Sequence, residues 1–192
     1  MPSADEKVIR RILAGEKRAF GELVDRHKDR AMTLAFSMLK NREDAEEALQ
    51  DAFVRAFHAL PRFEWKSRFS TWLYRIVYNV CATALSKRVE GVHLSIDEID
   101  EPKLDVPSED APPDAEYESR EFQEIVRDEV DKMPEMYAGI LTLFLVNDMS
   151  YDEIADVTGL PLGTVKVRLF RGRLLLRDAV TKRLGVNKAS VA

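Results

Sequence analysis

Apolar side chains in this chain recur at every third or fourth residue over most of its length, and nowhere do they alternate convincingly. Ala19, Phe20, Leu23, Val24, His27, Ala31, Leu34, Ala35 and Met38 fall on one helical stripe. Asn41 with Asp44 resembles a helix start, followed by Ala48, Leu49, Ala52, Phe53, Ala56 and Leu60 until Pro61. A further helix is expected from about Ser70 to Arg88. Beyond it, Phe122, Ile125, Val126 and Val130 mark one helix, and Pro134 opens another with Met136, Ile140, Leu141, Leu143 and Phe144. No Asn-Gly or Asp-Gly hairpin signal appears. The expected fold class is therefore all-α.

One segment interrupts the pattern. Residues 91–118, GVHLSIDEIDEPKLDVPSEDAPPDAEYE, hold half of the prolines and lack helical periodicity. They divide the chain into helical units over 1–90 and 119–192, joined by an extended acidic linker that could stretch to about 90 Å. The linker also explains the net charge of −5, since ten acidic residues and one basic one fall within it. The first unit is weakly basic and the last is neutral. Affinity for nucleic acid grows with the phosphates neutralised, so such a chain should hold DNA weakly by itself.

Several function classes are disfavoured. The longest apolar runs, such as GILTLFLV at 139–146, are too short to span a bilayer, and Met1–Arg11 lacks the apolar core of a signal peptide. The single cysteine, Cys81, excludes an internal disulfide and a cysteine-based zinc site. These features point to a cytoplasmic protein. His27, His58 and His93 lie in separate segments without metal-ligand spacing, and His27 is expected at the core or its boundary. The acids Glu43, Asp44, Glu46, Glu47 and Asp51 read better as a solvated or protein-binding helix face than as a metal site. No nucleophile, base and Gly-rich phosphate loop converge. We expect no catalytic residue, no metal and no cofactor.

The most informative stretch is SYDEIADVTGLPLGTVKVRLFRGRLLLRD. Ser150 and Glu153 form a capping box that starts a short helix, and Gly159 ends it where a left-handed residue is usual. Pro161 and Gly163 make a turn into a second helix from about Leu162. That spacing is a helix-turn-helix, spanning about Tyr151 to Phe170. At about 100° per residue, Val165, Leu169, Gly172 and Leu176 share the seam expected to pack inward. Lys166, Val167, Phe170 and Arg171 face the other way, with Thr164, Arg168 and Arg173 on the flanks. Cations that reach guanine edges beside an apolar ring suit a major groove, and flanking arginines suit phosphates.

A second stretch interleaves rings with cations. Between Phe63 and Tyr78 lie both tryptophans, with Arg62, Lys66, Arg68 and Arg75 among the rings. Leu73, Val77, Val80 and Ala84 form an apolar face, whereas Trp72 projects among Arg75, Asn79 and Thr83. Rings beside cations are how single strands are held, but Trp65 and Trp72 could equally pack under the preceding loop as core.

With these residues in hand, the chain resembles the small extracytoplasmic-function (group IV) sigma factors of the sigma-70 family, from about Ala19 to Leu184. EEALQDAFVRAFHAL at 46–60 is similar to the helix that binds core RNA polymerase, FSTWLYRIVYNV at 69–80 to the regions that open and read the −10 element, and LPLGTVKVRLFRGR to the region that reads the −35 element. The resemblance implies a transcription initiation factor of two domains, region 2 and region 4, that is not an enzyme. It implies contacts from Glu47, Ala48, Leu49, Gln50, Asp51, Phe53, Arg55, Phe57 and Leu60 to the β′ clamp of core polymerase, with region 4 on the β flap. Single-stranded −10 DNA would meet Arg62, Trp65, Lys66, Arg68, Ser70, Trp72, Arg75 and Asn79, the loop near Arg62–Ser70 capturing a flipped base. Double-stranded −35 DNA would meet Thr164, Lys166, Val167, Arg168, Phe170, Arg171 and Arg173. It further implies control by an anti-sigma factor in a stress response, with no membrane insertion and no obligate homo-oligomer. A stand-alone repressor with the same helix-turn-helix is the rival reading, and it would bind duplex DNA unaided.

Overall fold

The computed structural model describes residues 3–90 and 120–185, so the acidic linker lies outside the described residues, as does the tail from residue 186. Helices α1 (Ala4–Leu13), α2 (Phe20–Leu39), α3 (Arg42–Ala59) and α4 (Phe69–Glu90) make the first half. Helices α5 (Arg120–Asp131), α6 (Glu135–Leu145), α7 (Tyr151–Thr158) and α8 (Leu162–Arg183) make the second. No strand occurs among the described residues. Two single turns of 3-10 helix, Lys17–Ala19 and Leu60–Arg62, lead into α2 and out of α3.

Local chemistry sets these boundaries. The Asn41 side chain accepts from the Asp44 amide at 3.1 Å, which starts α3. Pro61 does not end the helical path at once, because proline fits the first turn of the 3-10 segment that follows Ala59. At Ser150 both halves of the capping box are made. The Glu153 amide donates to Ser150 Oγ at 3.3 Å, and the Ser150 amide donates to Glu153 Oε2 at 3.0 Å. Gly159 adopts φ 73°, in the left-handed region that side chains resist, and so closes α7.

Two clusters of buried side chains hold the chain together. The smaller joins Val8, Ile9 and Ile12 of α1 to Leu23, Phe53, Leu60, Phe63, Phe69 and Leu73. His27 is buried beside it, with Nε2 at 3.0 Å from Asp5 Oδ2 and Phe69 edge-on to its ring, so α1 is pinned to α2 by a polar contact as well. Arg26 pairs with the same Asp5. Cys81 is fully buried, and burial pushes its thiol up to about 12, which makes it a core filler.

The larger cluster runs without a break from one half into the other. It takes in Ala35, Met38, Tyr74 and Val77 of the first half and Ile140, Leu143, Ile154 and Leu169 of the second. α2 lies against α6, and α4 lies against α7. The approach is close at Gly139, where a Cβ would sit 3.0 Å from Met38 Cγ and 3.8 Å from the Tyr78 ring. Buried Thr71 on α4 donates to Glu153 Oε1 at 3.0 Å, and Arg30 on α2 pairs with Asp148 at 3.2 Å. Sequence periodicity left the relation of the two halves open. The structure packs them as one body.

Glu153 serves the cap and the seam together. Burial raises its carboxyl pKa, but the Ser150 amide, the Thr71 hydroxyl and the Arg68 charge outweigh that and hold it below its ordinary 4.5. A carboxyl held low when folded stabilises above its unfolded value, and that gain is lost as pH falls through the lowered one. The urea midpoint should therefore drop more steeply as pH falls below the ordinary carboxyl range in the native chain than in Glu153→Gln. Ser150→Ala should cost about 1 kcal/mol at pH 7 through the lost cap, measured by the same denaturation.

Candidate nucleic-acid interface

α8 has the two faces that its sequence specifies. Val165, Leu169, Gly172 and Leu176 are buried in the inward seam, joined by Val180. Gly172 is needed there, since a Cβ would meet Leu141 of α6 at 3.1 Å. On the outer side Lys166 is exposed and Phe170 keeps 42% of its surface, a large apolar ring held toward solvent. Val167 and Arg171 are half-buried beside them, and Thr164 is half-buried at the first turn.

The flanking arginines do different things. The Arg173 guanidinium lies over the Phe144 ring at 4.3 Å from its centroid, and near Tyr151 at 5.8 Å. It ties α8 to α6 and α7 at the flank where the sequence suggested a phosphate contact. Arg168 is half-buried and turned toward α4, where its charge acts on the Tyr78 phenol against the upward push of burial.

The aromatic loop and α4 form a second surface. The two tryptophans divide the alternatives that the sequence leaves open. Trp72 is half-buried, its ring 5.2 Å from Phe63 and 5.7 Å from Phe69, so it builds the loop's support. Trp65 keeps 45% of its surface and rests against Phe63 at 5.0 Å. Its backbone has φ 59°, left-handed for a bulky residue. Such strain persists where surrounding structure enforces it, and it clusters at binding sites. A cleft of about 840 Å³ separates this loop from α1, lined by Arg10, Leu13, Phe63, Trp65, Arg68 and Phe69. The helix α1, to which sequence reasoning gave no role, is thus one wall of it.

Around the loop, Arg62, Lys66, Arg68 and Arg75 are exposed, with Lys66 held by Glu64 at 2.6 Å and Arg68 at 4.0 Å from Glu153. Asn79 is exposed and Ser70 half-buried. α4 therefore carries three faces. Leu73 enters the smaller core of the first half, Val77 and Val80 enter the cluster shared by both halves, and Thr71, Tyr74 and Tyr78 meet the second half. Arg75 and Asn79 stay open. Of the polar face projected from sequence, Arg75, Asn79 and Thr83 are open, whereas Trp72 is half-buried among rings.

A third surface lies on α3. Glu47, Gln50 and Arg55 are exposed, with Leu49, Asp51 and Phe57 half-buried. Arg55 reaches Asp51 at 2.8 Å, and Arg42 reaches Glu46 at 2.9 Å, so this acidic face is laced with ion pairs. Ala48, Phe53 and Leu60 depart from expectation. All three are buried in the core and support the helix, since the stripe that packs α3 inward claims them. Sequence reasoning passed over Val54, which is 56% exposed one turn beyond Gln50. Its signal was an aliphatic residue on a charged face. No cluster of three or more His, Cys, Asp or Glu able to hold a metal occurs among the described residues, and no described helix is long and apolar enough to cross a membrane.

Comparison with known proteins matches the chain to two family models. Residues 23–90 match sigma-70 region 2, and residues 123–176 match sigma-70 region 4. The chain is 31% identical to the ECF RNA polymerase sigma factor SigW of Bacillus subtilis, over 90% of this chain and 94% of that protein. It is also 31% identical to the ECF RNA polymerase sigma-E factor of Escherichia coli, over 92% and 94%. Among solved structures it is similar in fold to CnrH in complex with the cytosolic domain of CnrY, with TM-score 0.62, 24% identity, and coverage of 94% and 99%. RpoE of Bartonella quintana, solved with the anti-sigma factor NepR, gives TM-score 0.63 at 23% identity, covering 88% and 98%. With both regions in order and near-full-length relatives above 30% identity, the chain belongs to the extracytoplasmic-function sigma factors of the sigma-70 family.

Proposed function

We propose that this chain is a non-catalytic, cytoplasmic initiation factor that binds core RNA polymerase and directs it to promoters through two DNA-reading surfaces. The single observation that carries this is α8, whose buried seam leaves Lys166 and Phe170 outward on a capped helix-turn-helix. Lys166, Val167, Phe170 and Arg171 read duplex DNA at −35. The loop from Arg62 to Ser70, with Arg75 and Asn79 beyond it, holds the non-template strand at −10, where exposed Trp65 offers a stacking ring beside cations. The cleft between α1 and the loop fits an extruded base. The open face of α3, from Glu47 through Gln50 and Asp51 to Arg55, meets the β′ clamp, and region 4 meets the β flap. Two fold neighbours were solved with protein partners, one of them an anti-sigma factor, which supports an anti-sigma partner here too.

The decisive experiment is transcription from a genomic fragment library with purified chain and core polymerase. Specific initiation that requires both components is expected, with weak duplex binding by the chain alone. Tight unaided binding would favour a free-standing repressor. In the same assay Arg171→Ala should cost about 1–3 kcal/mol of −35 recognition. Gln50→Ala should weaken the affinity for core polymerase at unchanged urea midpoint.

The tryptophans make a sharper pair. Trp65→Ala should reduce promoter opening while changing stability by no more than about 0.5 kcal/mol, as is usual for exposed positions. Trp72→Ala should cost about 3 kcal/mol of stability because its ring supports Phe63 and Phe69.

A further inference from the structure

Helix α1 precedes the stretch that matches sigma-70 region 2, which begins at residue 23. It lies outside both family matches, yet it is anchored on more than one side. Val8, Ile9 and Ile12 bury its inner stripe in the smaller core. Asp5 meets His27 and Arg26 of α2, and Arg11 in its last turn reaches Glu16 at 2.5 Å and Glu22 at 2.9 Å. Two other residues take no part in that anchoring. The Arg10 side chain is 69% exposed, and Leu13 keeps 47% of its surface. They are three residues apart, so they are neighbours on one helix face, and both line the cleft opposite the −10 loop.

The cleft is graded from floor to rim. Ile9, Phe63 and Phe69 are buried and make an apolar floor. Leu13 on α1 and Trp65 on the loop are exposed apolar groups that line it from the two sides. Cations stand on both sides as well, Arg10 on α1 and Lys66 and Arg68 on the loop. An apolar slot between cationic lips has the form of a nucleotide site, with the flat base inside and the phosphate at the mouth. The exposure of Arg10 puts its guanidinium at the mouth, with the phosphate. Half-buried Glu6 accepts from Arg10 Nη2 at 2.5 Å. A guanidinium carries five donors in one rigid plane, so this bond orients the fork and leaves donors for an anion.

We propose that α1 is the second jaw of the single-strand site. Arg10 holds a backbone phosphate of the non-template strand at the cleft mouth, and Leu13 packs on the captured base from the side opposite Trp65. The proposal rests on the reading of the −10 loop given above. The phosphate contact is blind to base identity, which is left to the loop. α1 therefore sets how tightly the strand is held, whatever promoter it comes from.

Strand binding by the holoenzyme tests this. Core polymerase with the chain is titrated with a fluorescent single-stranded oligonucleotide, the non-template −10 strand of a promoter recovered from the fragment library. Arg10→Ala should weaken binding about tenfold, by the same factor whichever base stands at each position. The slope of log affinity against log salt should fall by about 0.7, the share of one phosphate contact to a single strand. Arg10→Lys should restore that slope. Leu13→Ala should weaken binding about threefold at unchanged slope, and its effect should vanish at one position of an abasic scan, where no base remains to pack against. The urea midpoint should stay as it is in all three variants, because neither side chain anchors α1. Unaltered affinity and slope in Arg10→Ala would overturn the proposal, and so would a loss that depends on the base or that follows a lowered midpoint. Trp65→Ala separates the proposal from the reading beneath it. A loss in Trp65→Ala beside unaffected Arg10→Ala and Leu13→Ala removes α1 from the site, whereas no loss in any of the three removes the −10 loop as well.

Discussion

Enclosure of α6 is the constraint on which the rest depends. Six consecutive residues, Ala138 to Leu143, are buried. A helix turns through a full circle in 3.6 residues, so six buried in a row need cover on every side. A helix of this kind cannot stand at a surface. α8, α5 and α7 supply cover from within the second half, and α2 supplies cover from the first. Gly139 and Gly172 lie at two of the contacts, each letting a neighbour approach where a Cβ would collide. The hydrophobic demand of one short helix thus draws both DNA-reading units into a common body.

Much of this was legible beforehand because it is local. The capping box at Ser150, the left-handed Gly159 and the seam of α8 depend on neighbours within a few residues, and their chemistry is visible in order along the chain. The open face of α4 could be projected for the same reason. What could not be projected was which of two rings a loop would use. Trp65 and Trp72 have similar surroundings in sequence, and only the placement of Phe63 and Phe69 tells that one is support and the other is offered to solvent. Arg173 belongs to the same class, since its stacking on Phe144 depends on how α6 and α8 cross.

Ala48, Phe53 and Leu60 carry a related lesson. A binding helix is recognised as a whole stretch, but a helix has an inside, and family likeness does not distinguish the residues that touch a partner from those that hold the partner-facing side in place. Here periodicity separates inside from outside: the stripe through Ala45, Ala48, Ala52 and Ala56 is inward, while Glu47, Gln50, Val54 and Arg55 are among the exposed residues. The docking of the halves had a signal too. The run GILTLFLV lacks the polar face that a helix at the rim of a small domain needs.

One consequence concerns the far end of α8. At 22 residues it is about 33 Å long, a single rod from the helix-turn-helix to Arg183. There Arg183 grips Asp128 at 2.9 Å and Glu129 at 3.0 Å, tying the rod's tail to α5. Midway along, the rod crosses α6 closely where Gly172 meets Leu141. The ion pairs at its tail and the close crossing at Gly172 together fix the direction of the rod against α5 and α6.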